Sequence, residues 1–222
     1  MQNNQSVAYT GSTQSVLATN RVLKNTYMLL SMTLVFSAVC AFVGVSMGIS
    51  PMVAFIADIA AIVMLWFVLP KTANSGAGIP VIFGVTGLLG FGLGPILNAY
   101  LAVNPSIVMT ALGGTGVIFL ALSGYALTTK KDFSFMGGFL MVGMFVIIGA
   151  GLLNIFLSIP ALSLAISGAT IMVMSGFILY QTSSIIKGGE TNYIMATASL
   201  FLSILNIFRS LLHILGAFSG DD

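Results

Sequence analysis

The chain has 222 residues, with seven Lys and Arg, five Asp and Glu, and one His. Only 5% of it is charged and 58% is hydrophobic, with a mean hydropathy of +1.09, whereas an ordinary soluble domain carries about 25% charged residues. Such a chain cannot build the skin of a water-soluble globule, is too apolar to be disordered, and has too few basic residues to track a nucleic-acid backbone, which leaves a multi-spanning membrane protein.

Residues 1–20 are polar and uncharged. They lack the basic start and apolar core of a secretory signal, so a flexible tail is expected there. A span needs about 20 mostly apolar residues to cross a hydrocarbon core of about 30 Å. The first such run covers 26–48 and holds Cys40, which in this setting reads as a small buried hydrophobe. The second covers 51–70 and contains Asp58. The third, 79–101, carries Gly84, Gly87, Gly90, Gly92 and Gly94, and Gly94 is followed by Pro95. Gly90 and Gly94 form a small-xxx-small pair that lets helix backbones approach. Pro95 removes a helical hydrogen bond and should bend the span, as a packing kink or as a hinge that gates a pathway. The fourth to seventh runs cover 106–127, 133–157, 161–186 and 193–218. A short acidic tail, 219–222, follows. Continuous apolar runs exclude a barrel, whose strands alternate over about 10 residues. Short connections make successive helices antiparallel neighbours. The expectation is an all-α membrane protein, with residues 21–218 forming one seven-helix domain.

The loop charges set an orientation. Arg21, Lys24, Lys71, Lys130, Lys131 and Lys187 all fall on the side of the N-terminus, while the opposite loops carry no charge and the C-terminal tail has only Asp221 and Asp222. The positive-inside rule then places the N-terminus in the cytoplasm and the C-terminus outside.

Polar groups inside a span are costly and mark function or close packing. In the seventh run Ser199, Ser203, Asn206, Ser210 and His213 are spaced 4, 3, 4, 3, which keeps them on one helical face. That stripe should face protein or water, so the seventh helix is expected inside the bundle. The stripe could make interhelical hydrogen bonds or line an aqueous or ion pathway. Two formal charges lie within spans, Asp58 and Arg209. Asp58 lies about 10 Å, and Arg209 about 13 Å, below the outer end of its span at 1.5 Å per residue. Opposite signs at matching depth point to an ion pair, with a structural role or a proton or ion relay as its alternatives. Asn206 and His213, three and four residues from Arg209, could extend it.

Several chemistries lack their residues. The seventh run has no Lys for a Schiff base, and one His with one Cys is too few for a metal centre. An intramembrane Ser–His protease would have to pair His213 with a Ser such as Ser123 or Ser175, each in an ordinary Ser-Gly packing pair. No GxxxxGK[ST] phosphate loop occurs. No cofactor, no nucleic-acid partner and no enzymatic activity are expected.

Four stretches carry a family resemblance: TNRVLKNTYMLLSMTLVFSA, PKTANSGAGIPVIFGVTGLLGFGLGPILNAYL, GYALTTKKDFSFMGGFLMVG and SGFILYQTSSIIKGGETNYIMATASLFLSILNIFRSLLHILG. Over residues 20–216 the chain resembles the Bax inhibitor-1 family, and within it the bacterial, YccA-type branch. The resemblance implies a seven-helix bundle with a central last helix, in the bacterial inner membrane. It implies a regulator that binds the membrane-anchored AAA protease FtsH, limits its degradation of membrane proteins, and is gripped by it through the N-terminal tail. The lipid bilayer and other membrane proteins of that quality-control system would be its further partners. The alternative within the family is a calcium or proton leak. Calcium-leaking members are similar in having a carboxylate late in the sixth span and another in the seventh. Here Gln181 and Ser203 stand at those positions, and neither can share a proton as a carboxylate pair does. The candidate polar network is therefore Asp58, Arg209, His213, Asn206, Ser203 and Gln181, with Gly90, Gly94 and Pro95 as the packing and kink positions.

Overall fold

The structure, a computed structural model, describes residues 4–129 and 131–219, with side chains described from residue 17. Lys130, Asp221 and Asp222 lie outside the described residues. The described elements are helices: α1 (Asn4–Ser46), α2 (Pro51–Val63), a π-helical turn (Met64–Val68), α3 (Leu69–Thr72), α4 (Gly78–Phe91), α5 (Gly94–Val103), α6 (Pro105–Thr128), a short 3-10 turn (Ser134–Met136), α7 (Gly137–Leu157), α8 (Pro160–Ile186) and α9 (Tyr193–Ser219). They make seven helical stretches long and apolar enough to cross a membrane, Leu17–Ser46, Pro51–Thr72, Gly78–Val103, Pro105–Thr128, Ser134–Leu157, Pro160–Ile186 and Tyr193–Ser219. The count agrees with the hydropathy reading, and most ends agree within two or three residues.

Three differences have local causes. The first helix runs back to Asn4, through much of the segment read as a tail; residues 4–25 contain no Pro and a single Gly, Gly11, so nothing in them forces a break. The second span continues past Pro70 to Thr72. Pro70 cannot donate to the helical ladder and its ring crowds the carbonyl of the preceding turn. The chain widens just before it into a π turn, in which the Leu69 N–H donates to the Met64 carbonyl, and so absorbs the proline without ending. The third span breaks into α4 and α5 at Gly92-Leu93, a stronger effect than the expected bend. Pro95 stands in the first turn of α5, where its missing N–H costs nothing.

The turns at the end of the bundle opposite the lysines share one device. Pro51, Pro105 and Pro160 each open a helix. Ser50 Oγ accepts from the Val53 N–H at 3.4 Å and Asn104 Oδ1 from the Ser106 N–H at 2.9 Å, so two of these starts are capped. Ser158 closes α7 in the left-handed region at φ 52°.

α9 is the centre of the bundle and packs against α1, α4, α6 and α8. Leu200, Phe201, Ile207 and Leu212 on it are at most 1% exposed, so it is enclosed on more than its polar face. α7 packs mainly on α8 at the periphery, and Leu140 is its one buried residue. Phe139, Phe145 and Phe156 on α7 are exposed, the surface expected of a helix solvated by lipid.

Candidate functional site

The intramembrane charges meet. Arg209 Nη2 on α9 lies 3.1 Å from Oδ2 and 3.2 Å from Oδ1 of Asp58 on α2. One nitrogen serves both carboxylate oxygens, and the Arg209 Nε is buried with no partner among the described residues. The two side chains are 28% and 27% exposed, so protein does not fully enclose the pair. Gly92, at the break in span three, makes room for it. A Cβ there would stand 2.5 Å from Asp58 Oδ1. The break therefore leaves room for the carboxylate: a side chain at residue 92 would force it out of its present position.

The rest of the expected network does not join this pair. Asn206 Nδ2 donates to the Leu202 carbonyl at 2.8 Å, and Ser203 Oγ to the Ser199 carbonyl at 3.0 Å. Both polar groups are satisfied on their own helix, four residues back, as short polar side chains often are in apolar surroundings. Ser199 is exposed, whereas Ser203 and Ser210 are buried. His213 turns to α8, where its Nδ1 lies 2.9 Å from Ser167 Oγ. Among the described residues neither Ser123 nor Ser175 hydrogen-bonds to His213. Gln181 is buried on α8 at 8% exposure, and its Nε2 finds no partner among the described residues. Ser203 and Gln181 are both neutral, so they can offer oxygen atoms but no fixed charge. Among the described residues no three His, Cys, Asp or Glu side chains converge.

Gly90 and Gly94 mark where span three presses on α1. A Cβ at Gly90 would overlap the Ser37 carbonyl, and one at Gly94 would stand 2.8 Å from the Gly44 backbone. The pair acts as a seam between backbones, with Pro95 just past the break.

Sequence reading missed the clasps at the lysine-bearing end. Asn192 Nδ2 donates to the Ala73 carbonyl at 3.0 Å and to Asn74 Oδ1 at 2.8 Å, tying the loop before α9 to the loop after α3. Its Oδ1 caps α9 by accepting from the N–H groups of Ile194 and Met195 at 2.9 and 3.1 Å. An Asn directly before an apolar run is the ordinary signal of a helix start, but nothing in the sequence names the second loop. Thr197 Oγ1 donates mainly to the Tyr193 carbonyl on its own helix at 2.7 Å, with the Thr26 carbonyl of α1 at 3.3 Å; Tyr27 and Thr182 hydroxyls meet at 3.3 Å, and the Phe133 N–H donates to Ser183 Oγ at 3.1 Å. Asp132, on the same end, accepts from the Ser134 N–H at 2.8 Å. Hydrogen bonds from Ser134, and then the charge of Lys187, hold its carboxyl below the usual carboxylate range.

Residues 19–220 match the family described as Bax1-I, inhibitor of apoptosis-promoting Bax1. A Vibrio cholerae protein described as a membrane protein is 52% identical over 215 residues, covering 96% of each chain. The Escherichia coli protein named modulator of FtsH protease YccA is 50% identical over 208 residues, covering 93% of this chain and 94% of its own. A Pseudomonas aeruginosa protein is 47% identical over 203 residues, covering 90% of this chain and 91% of its own.

Proposed function

The chain belongs to the Bax inhibitor-1 family, and from that membership we propose that it modulates an FtsH-type membrane protease. One observation carries the reading: 50% identity to a protein named for that activity, over nearly the whole of both chains. The protein acts as a regulator through contact within or beside the bilayer. The bacterial inner membrane is its location, with the lysine-bearing end of the bundle in the cytoplasm, where the positive-inside rule puts it. Residues 1–20 then lie on the protease's side of the membrane. Residues 4–20 are helical at the start of α1 and would have to unwind to be gripped; at 3.3–3.6 Å per residue the unwound segment of 20 residues reaches about 70 Å, enough to enter a pore beside the bilayer, and this segment is the degradation handle. A calcium leak through paired carboxylates has less support, because Gln181 and Ser203 carry no charge and Asp58 is held by Arg209.

The test is crosslinking followed by pull-down from native membranes, with and without residues 2–20. Co-capture of the protease with both forms, and slower turnover of the shortened form in pulse-chase, is expected. Failure to capture the protease with the full chain would overturn the reading. Unchanged turnover of the shortened form would remove the tail's role alone.

A further inference from the structure

At the end of the bundle opposite the lysines, α7, α8 and α9 border an open pocket of about 450 Å³, lined by Asn154, Ser158, Ser163 and His213 with Leu164 and Ala217 among its apolar walls. Its chemistry sets it apart from two clefts elsewhere, which are walled by hydrocarbon side chains such as Phe83 and Leu88 in one and Leu34 and Phe208 in the other. Asn154 lies three residues before the end of α7, and His213 about 9 Å along α9 from its end at 1.5 Å per residue. Both residues therefore lie in the terminal part of their spans, on the way to the membrane surface.

The hydrogen bonds already formed there decide what the pocket can still take. Asn154 Nδ2 donates to Ser163 Oγ at 2.6 Å, and its Oδ1 accepts from the Ile159 N–H at 3.1 Å. Asn154 is thereby held in place with its carbonyl oxygen engaged. The Ser163 oxygen accepts from it, which leaves the hydroxyl proton to give. The Ser158 hydroxyl is a second donor. His213 Nδ1 is engaged with Ser167 Oγ at 2.9 Å, so Nε2 is the ring's free polar atom, and it carries a proton whenever Ser167 is the donor or the ring is charged. No Asp or Glu is among the described residues that line the pocket. The amino end of α8, uncapped by any side chain, adds positive potential, but the hydroxyls and the imidazole make the site. Donors without a carboxylate favour an anion over a cation.

We propose that this pocket binds an oxyanion of the phosphate class. The same chemistry is offered by a phospholipid headgroup and by free phosphate. Leu152, Leu153 and Phe156, exposed on the neighbouring stretch of α7, provide an apolar face for acyl chains if the phosphate arrives on a lipid.

The full-length protein in detergent is titrated with inorganic phosphate, with a short-chain phosphatidylglycerol, and with the matching diacylglycerol that lacks phosphate, following the thermal unfolding midpoint. A rise with phosphatidylglycerol alone assigns the site to a headgroup. A rise with inorganic phosphate assigns it to the free anion. Either supports the proposal, provided the diacylglycerol gives none. Ser163→Ala and His213→Phe should each weaken the apparent affinity about tenfold, as loss of a hydrogen bond to a charged group does, while Trp66→Leu, on another helix, should leave it unchanged. If either pocket variant fails to fold, Ala217→Leu removes space without removing a hydrogen bond and should lower the affinity in the same direction. No rise with either phosphate probe, an equal rise with diacylglycerol, or unchanged affinity in the pocket variants would overturn the proposal.

Discussion

Span five and span seven are of similar length, and each is a single long helix closing on a neighbour, yet they occupy opposite places. The most apolar stretch of span five has a mean hydropathy of 2.4 and is 6% buried; that of span seven has 1.7 and is half buried. In a water-soluble protein the order would be reversed. Lipid tails are as apolar as Leu, so no hydrophobic force drives the greasier helix inwards. What draws a helix to the centre is a surface with partners to find: Arg209 for Asp58 and His213 for Ser167. Span five offers few such groups, and lipid serves it as well as protein does.

The largest break in this comparison should come from matched truncations. Phe201→Ala on α9, where the side chain is 1% exposed, should cost about 3–5 kcal/mol through lost contacts and an unfilled cavity. Phe156→Ala on α7, where it is 86% exposed, should stay within about 0.5 kcal/mol. Reversible unfolding of both variants in one detergent measures the difference, and equal losses would mean that α9 is not the structural centre.

The ion pair comes next. Asp58→Asn or Arg209→Gln alone should cost about 3–5 kcal/mol, because each leaves the other charge unpaired within a span. The double variant should cost less than the sum. A double-mutant cycle reads the coupling directly, and additivity would show that the contact contributes nothing. Gly92→Ala should mimic the loss in part, since its methyl group would collide with the carboxylate.

A smaller effect is expected where α9 begins. Asn192→Ala removes a cap and two bonds to the neighbouring loop, worth about 1–2 kcal/mol. Hydrogen exchange at Ile194 and Met195 should rise with it, and unchanged protection there would rule out the clasp.

The smallest effect lies beside span five. The Asp132 carboxyl is held below its ordinary range by Ser134 and then by Lys187. A lowered folded-state value means that its stabilisation is present above the ordinary carboxylate pKa. It is lost as pH falls through the folded value. Asp132→Asn should therefore be slightly less stable than the parent near neutrality and lack the parent's low-pH step, so that the unfolding midpoints of the two converge in acid. Since the carboxylate is fully exposed, the step is small, and a difference at neutral pH larger than that of Asn192→Ala would contradict this ranking.

How much of the site was legible depended on the kind of information each residue carried. Asp58 and Arg209 could be matched because charge sign and depth along a helix are both written in the chain. Gly90 and Gly94 were legible as a close-packing pair, though not that Ser37 and Gly44 would face them. Asn206, Ser203 and His213 share a spacing, but spacing does not say whether a polar group bonds to its own helix or to another. Two bond to their own and the third crosses to α8. Gly92 read as one glycine among five, and only the approach of α2 gave it a task.

Span number, most span limits and the one-sided loop charge were legible in the sequence alone. The reason is that lipid supplies no hydrogen bonds, so each helix must satisfy its own backbone, and membrane solvation can be judged one segment at a time. Which helix went to the centre, which polar groups met, and where Pro70 and Pro95 left a π turn and a break were decided by tertiary structure. Those outcomes depend on the rotation of each helix about its axis and on the distance between backbones. Both arise from packing among segments far apart in the chain, which no local pattern encodes.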